Sequence, residues 1–188
     1  MGRWKPDARG RLEQAALDLY GERGFEKTTV AEIAARAGVT ERTYFRHFAD
    51  KREVLFGGSG ELRDMLTGAV ADAPASTPPL EATADALETI SAVFRGNLDR
   101  TRRRQAIINA NPELREREVI KMAAFATALA ETLRQRGVPD PAAALTAEAG
   151  IAIFKIAFER WIAAPGEKEL PEFIRESLNE LKAVTAAA

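Results

Sequence analysis

The chain has 188 residues, 46% of them hydrophobic and 29% charged, with no cysteine and a single histidine, and its 27 Lys and Arg against 28 Asp and Glu leave a formal net charge of −1. That length suits one ordinary domain or a small module joined to a larger one, and the composition is that of a folded globular protein and not of a disordered one. Disulfide staples and thiolate metal sites are excluded, near-zero charge speaks against a polybasic binder, and no unbroken apolar stretch reaches the roughly 18 residues of a membrane span.

The opening MGRWKPDARGR is basic without an apolar core, so no signal peptide is expected and the protein reads as cytoplasmic. Met1-Gly2 would open a myristoylation signal, but Pro6 stands where Ser or Thr is required. Charge is uneven along the chain: residues 1–52 hold 11 Lys/Arg and 8 Asp/Glu, while residues 53–188 hold 16 and 20. The basic end is the N-terminal end. The Arg3-Trp4-Lys5 segment is either a frayed terminus or an arm for a minor groove.

Apolar residues recur with a helical period almost throughout. Leu12, Ala15, Ala16, Leu19 and Tyr20 form one stripe, Asp7 is an N-cap, and Gly21 and Gly24 supply a stop, which predicts a helix over 7–23. A second, short helix starts near Thr28-Thr29 and runs through Val30, Ile33, Ala34 and Ala37 to Gly38, a residue suited to a left-handed turn. Thr40 caps a third helix, 41–48, and Asp50 caps a fourth, 51 to about 70. Residues 73–79, APASTPP, read as a linker.

Beyond the linker the pattern predicts a helix over 80–104, a short apolar piece at 106–110, and a helix opened by Asn111-Pro112 and closed by Gly137. A strongly apolar helix over 142–163 and a last one over 169–186 complete the chain. No strand-length alternation and no internal repeat is present, so the fold class is all-α.

Residues 28–48 have helix-turn-helix grammar. Two short helices can cross near right angles when the crossing point is small, here Ala34, and when the turn residue tolerates a left-handed backbone, here Gly38, with Val39 as an apolar plug. The second helix then projects and can enter a DNA major groove.

At this point the chain resembles the tetracycline-repressor (TetR) family of bacterial transcriptional regulators. The resemblance rests on TTVAEIAARAGVTERTYFRHFADKREVL, residues 28–55, preceded by GERGFEK. It implies a three-helix DNA-binding domain over 1–52 and a helical ligand-binding and dimerisation domain over 53–188. It also implies that Thr28 and Thr29 meet a DNA phosphate at the start of the second helix, where hydroxyls and free amides suit an anionic oxygen. Thr40, Glu41, Arg42, Thr43 and Arg46 lie on or near the reading helix, with Arg42 suited to guanine and Glu41 to a cytosine amino group. Lys51 would hold a phosphate. His47 is either a backbone contact, as in the family, or a partly buried packing residue. The family usually carries Leu-Tyr where this chain has Tyr44-Phe45, so Tyr44 is expected in the core and Phe45 offers apolar contact only.

The resemblance further implies a small-molecule inducer among the C-terminal helices. An apolar pocket lined by Phe94, Met122, Phe125, Phe154 and Phe158 is expected, although such stripes are also ordinary core. Scarce internal polar groups favour an apolar or amphipathic ligand. Helix 142–163, with small Ala147, Ala149, Gly150, Ala152 and Ala157, and the last helix, with Leu170, Phe173, Ile174, Leu178, Leu181 and Val184, are candidates for a four-helix homodimer interface. A two-fold dimer sets its reading helices about 34–36 Å apart or somewhat further, on a palindromic operator. Arg100 and Arg102–Arg104 read as dipole compensation at a helix C-terminus, or as a contact to an anionic ligand.

The implied function is a homodimeric repressor released from DNA by its ligand. The rival class is a helical carrier or a carboxylate-dependent enzyme. Against an enzyme stand the single histidine, the absence of cysteine and the lack of a Gly-rich phosphate loop, and nothing calls for a cofactor or a metal.

Overall fold

The computed structural model describes residues 7–166 and 168–186; the Arg3-Trp4-Lys5 segment and Met1-Gly2 lie outside them. The described residues are helical, without strands, in accord with the all-α expectation. They divide into two compact units, one that runs to Gly58 and takes in Arg102–Glu118, and one made of Ser59–Thr101 with Val119–Ala188. The first thus extends past residue 52, where the sequence places the division.

The first unit begins with α1 (Ala8–Arg23), capped by Asp7, whose carboxylate accepts from the Gly10 amide at 2.8 Å. The whole predicted stripe, Leu12, Ala15, Ala16, Leu19 and Tyr20, is buried, and each large side chain so buried stabilises by about 1.5–3 kcal/mol. Helix α2 (Val30–Ala37) and helix α3 (Glu41–His47) follow within a residue of expectation. A 3-10 turn, Glu53–Leu55, then stands where the sequence predicts the start of a continuous helix. The break falls at Gly57-Gly58. A Cβ at Gly57 would lie 2.5 Å from Glu13 and 3.2 Å from the Phe48 ring, and Gly58 has φ +83°.

Helix α6 (Leu98–Ala110) and helix α7 (Pro112–Gln135) each contribute to this unit. Ile108 and Leu114 are fully buried in the same cluster as Leu12, Phe48 and Phe56. Arg103 pairs with Asp18 at 2.9 Å, Arg104 donates to the Leu55 carbonyl at 2.6 Å and lies over the Phe56 ring, and Arg117 pairs with Glu53 at 2.5 Å. The predicted single helix 80–104 is therefore corrected to two. The first ends at Ile90 and is followed by a 3-10 turn, Ser91–Phe94, and by Gly96 at φ +70°, and the segment 106–110 is the last part of the second. The arginine cluster lies in the first half of α6 and not at a helix C-terminus, so dipole compensation is not its role.

The second unit holds α4 (Ser59–Asp72), α5 (Pro79–Ile90), α8 (Asp140–Ala163) and α9 (Leu170–Ala186) with Val119–Gln135 of α7. Leu66, Leu87, Ile90, Leu129, Leu133, Ile153, Trp161 and Ile174 form its core. Arg136 fastens the linker by donating to the carbonyls of Val70 at 2.9 Å, Ala73 at 2.5 Å and Pro74 at 3.0 Å. Helix α8 meets the length and mean hydropathy of a bilayer span, more than its interrupted apolar runs suggest. Its buried face serves the core: Ala147, Gly150 and Ala157 point inward, and a Cβ on Gly150 would come within 2.5 Å of the Thr83 methyl on α5. Leu170, Phe173, Ile174 and Leu178 of α9 are likewise buried in their own unit. Leu145, Ile156 and Val184 are the large apolar side chains these two helices leave exposed.

Candidate nucleic-acid interface

The turn between α2 and α3 is built from local chemistry. Gly38 sits at φ +68°, ψ +39°, its amide donates to the Ala35 carbonyl and the Val39 amide to that of Ala34. Those bonds close the C-terminus of α2. Arg11 reaches across from α1 to donate to the Ala37 carbonyl at 3.0 Å, placing a cation at the negative end of the α2 dipole. At its other end Thr29 and Glu32 form a capping box, legible in the sequence as Thr-x-x-Glu.

Helix α3 buries one side chain, Tyr44, which has no exposed surface and lies in the core as expected. Its hydroxyl donates to the Asp50 carbonyl at 3.1 Å, and the Tyr20 hydroxyl donates to the Lys51 carbonyl at 2.8 Å. Burial pushes both phenols well above the ordinary tyrosine value, so both remain donors. The Asp50 carboxylate accepts from the amides of Arg52 and Glu53, and the Arg52 guanidinium beside it holds it below the usual carboxylate range. The turn after α3 is thereby pinned from three directions, and α3 is held with its other faces outward.

The predicted contacts fall into two groups. Thr40, Glu41, Arg42, Phe45, Arg46 and His47 are exposed and Thr43 is half-buried, so α3 does present them together. Thr40 is the N-cap, accepting from the Thr43 amide at 3.2 Å. Exposure of His47 disposes of its packing alternative. Arg42, Arg46 and His47 have no ion-pair partner among the described residues, whereas Arg23, Arg36, Arg52, Arg103 and Arg117 are each paired with a carboxylate. Arg42, Thr43, Phe45 and Arg46 line one open depression.

The second group is not free. Thr28 is 1% exposed and its hydroxyl donates to the Gly24 carbonyl at 2.9 Å, which corrects its assignment to a phosphate. The amide and hydroxyl of Thr29 are both taken by the Glu32 carboxylate, at 2.8 and 3.0 Å. Two N–H groups of the Lys51 ammonium go to the carbonyls of Phe25 at 2.8 Å and Glu26 at 3.4 Å, leaving one. Sequence reasoning passed over Lys27, an exposed cation without an ion-pair partner among the described residues; its signal is its place directly before the Thr pair.

Of the predicted ligand residues, the structure brings Phe94, Phe154 and Phe158 into one ring cluster. Centroids lie 5.7 Å apart for Phe94–Phe158 and Phe154–Phe158 and 6.5 Å for Phe94–Phe154. Trp161, not foreseen, completes it at 6.0 Å from Phe94 and 5.9 Å from Phe158. Met122 packs against the same core, and Phe125 is buried within it without joining these ring contacts.

Comparison with known proteins finds matches in both halves of the chain. Residues 13–56 match the family described as bacterial regulatory proteins, tetR family, and residues 77–186 match the MftR C-terminal domain. The HTH-type transcriptional regulator TcmR of Streptomyces glaucescens is 37% identical over 94 residues, half of this chain and 38% of that protein. MftR of Mycobacterium tuberculosis, described as a mycofactocin biosynthesis transcriptional regulator, is 24% identical over 136 residues, 72% of this chain and 69% of that one. The crystal structure of NalD, the secondary repressor of the MexAB-OprM multidrug efflux pump in Pseudomonas aeruginosa, superposes with a TM-score of 0.61 at 21% identity and covers 94% of each chain. It is similar in fold.

Proposed function

The chain belongs to the tetR family of bacterial regulatory proteins, and from that premise we propose that it is a cytoplasmic, homodimeric repressor that binds a palindromic operator and is released by a small ligand. One observation carries the reading: α3 buries a single side chain and presents two arginines, Arg42 and Arg46, without an ion-pair partner among the described residues, in a unit where Arg23, Arg36, Arg52, Arg103 and Arg117 are each matched to a carboxylate. Leaving such cations unmatched gains nothing for folding. Against a polyanion each neutralised phosphate releases counterions.

In this reading Arg42 forms a bidentate contact to guanine and Glu41 accepts from a cytosine amino group. Arg46, His47, Lys27 and the remaining Lys51 N–H address the backbone and set register. Thr29 contributes only where a phosphate displaces Glu32. The functional division assigns DNA to the N-terminal helices and ligand and dimerisation to the rest.

The inducer is an apolar or amphipathic molecule received by Phe94, Phe154, Phe158 and Trp161, with Met122 and Phe125 behind them. The dimer forms through the outward faces of α8 and α9, where Leu145, Ala149, Ala152 and Ile156 fall at helical spacing and Val184 stands exposed. Ligand binding lowers operator affinity because it favours a state whose reading helices mismatch the groove spacing.

The test is selection of bound fragments from a random duplex pool with the intact protein. An inverted repeat is expected, its half-sites about 34–36 Å or somewhat more apart, bound with an affinity that falls as salt rises. Recovery of no sequence above background rejects the reading.

A further inference from the structure

Phe45 is the exposed apolar side chain of α3, and phosphate recognition has no use for it. Its ring is 54% exposed. Tyr44 occupies the inward position and meets the Phe45 ring edge-on at 5.5 Å, which holds that ring on the outer surface. It shares its depression with Arg42, Thr43 and Arg46, and the two arginines are one helical turn apart.

A phenyl ring cannot hydrogen-bond to a phosphate or to the polar edge of a base, and an exposed one gives up the stabilisation that burial would supply. Set between two cations that address a polyanion, it fits an apolar group at the floor of the groove they enter. The major-groove edges of the four base pairs offer one such group, the 5-methyl of thymine. We propose that Phe45 is a specificity-determining residue that reads a thymine in each half-site through that methyl. This rests on the reading that α3 enters the major groove.

The test uses the intact protein and a duplex recovered by the random-pool selection, compared with the same duplex in which deoxyuridine replaces thymine. Uracil keeps the pairing edge and the O4 acceptor and lacks only the methyl. Removing it should weaken binding about fourfold per half-site, the equivalent of one buried methyl group. Phe45→Ala should weaken binding to the thymine duplex by a similar factor and abolish the difference between the two duplexes, while Phe45→Leu should keep part of it.

A recovered half-site without thymine, equal wild-type affinity for both duplexes, or an undiminished uracil effect in Phe45→Ala each overturns the assignment. The last of these places the methyl against another side chain, and the second leaves the ring on deoxyribose or in solvent. The uracil comparison needs no substitution in the protein, so folding of a variant does not enter it. If no duplex is recovered at all, DNA recognition itself falls; a duplex indifferent to uracil removes Phe45 alone.

Discussion

Helices α2 and α3 are of nearly equal length, eight and seven residues, joined by the short turn Gly38-Val39-Thr40, yet they are constructed in opposite ways. Helix α2 buries Ile33, Ala34 and Ala37, closes both ends with backbone and side-chain partners, and ties its charges to α1 through Arg23–Glu32 and Glu22–Arg36. Helix α3 buries Tyr44, rests on a turn pinned from below, and leaves its cations without ion-pair partners among the described residues. The first helix invests its side chains in the fold. The second is carried by the fold and keeps its side chains for something else, so substitutions should divide cleanly between loss of stability and loss of binding.

The largest effect should come from α2. Ile33 has no exposed surface, and Ile33→Ala is expected to cost about 2–5 kcal/mol of stability, read as a drop in denaturant midpoint at unchanged slope. Under conditions where the variant is still folded its operator affinity should match wild type. A fall in affinity without a shift in midpoint would erase the contrast between the helices.

Arg42→Ala on α3 should do the reverse: a loss of about 1–3 kcal/mol in operator binding, confined to one base-pair position, with no change in melting temperature. Arg36→Ala on α2 removes the same charge from a paired site and should leave the affinity of folded protein unchanged. Equal losses for both arginines would mean that net charge and not placement on α3 governs recognition. An Arg42 loss spread evenly over all sequences would move that residue to the phosphate backbone.

What the sequence reveals follows from how local the cause is. Boundaries of α1 to α3 are legible within a residue because Asp7, Thr29, Thr40, Gly24 and Gly38 act through bonds spanning three or four residues. The breaks at Gly57-Gly58 and at Gly96 were obscured because Leu87, Ile90, Phe94 and Leu98 keep a helical period across the second, and periodicity alone does not register a kink. Burial of Thr28 and the occupation of Thr29 by Glu32 are not properties of the Thr pair. The first depends on where the end of α1 lies, and the second shows only when the capping box at residues 29–32 is read alongside the phosphate site. Arg103 and Arg104 could not be placed without knowing that α6 returns to the first unit, where Asp18 and Leu55 receive them.

Gly38→Ala tests the hinge that lets the two helices differ. The left-handed backbone at φ +68° suits glycine, and nothing within 3.8 Å obstructs a methyl group, so the cost is conformational and not steric. About 1–2 kcal/mol of stability should be lost. Should the chain relieve the strain by turning α3, operator affinity would fall with it; should it absorb the strain, the midpoint alone would move.

The smallest effect concerns the turn beneath α3 and is seen in acid. Asp50 is held below the ordinary carboxylate value first by the hydrogen bond from the Arg52 guanidinium and then by the amides of Arg52 and Glu53. A group whose folded value is depressed contributes stability above its unfolded value, near 4, and that contribution disappears as pH falls through the folded value. Wild-type stability should therefore decline more steeply below about pH 4 than that of Asp50→Asn, which keeps an acceptor for the amides but has no charge to lose. The two side chains are 39% and 44% exposed, so solvent screens the pair and the difference should shrink further in high salt. Since Tyr44 donates to the carbonyl of this same residue, a steeper acid decline in Asp50→Asn than in wild type would show that the backbone of the turn, and not its carboxylate, supports the reading helix.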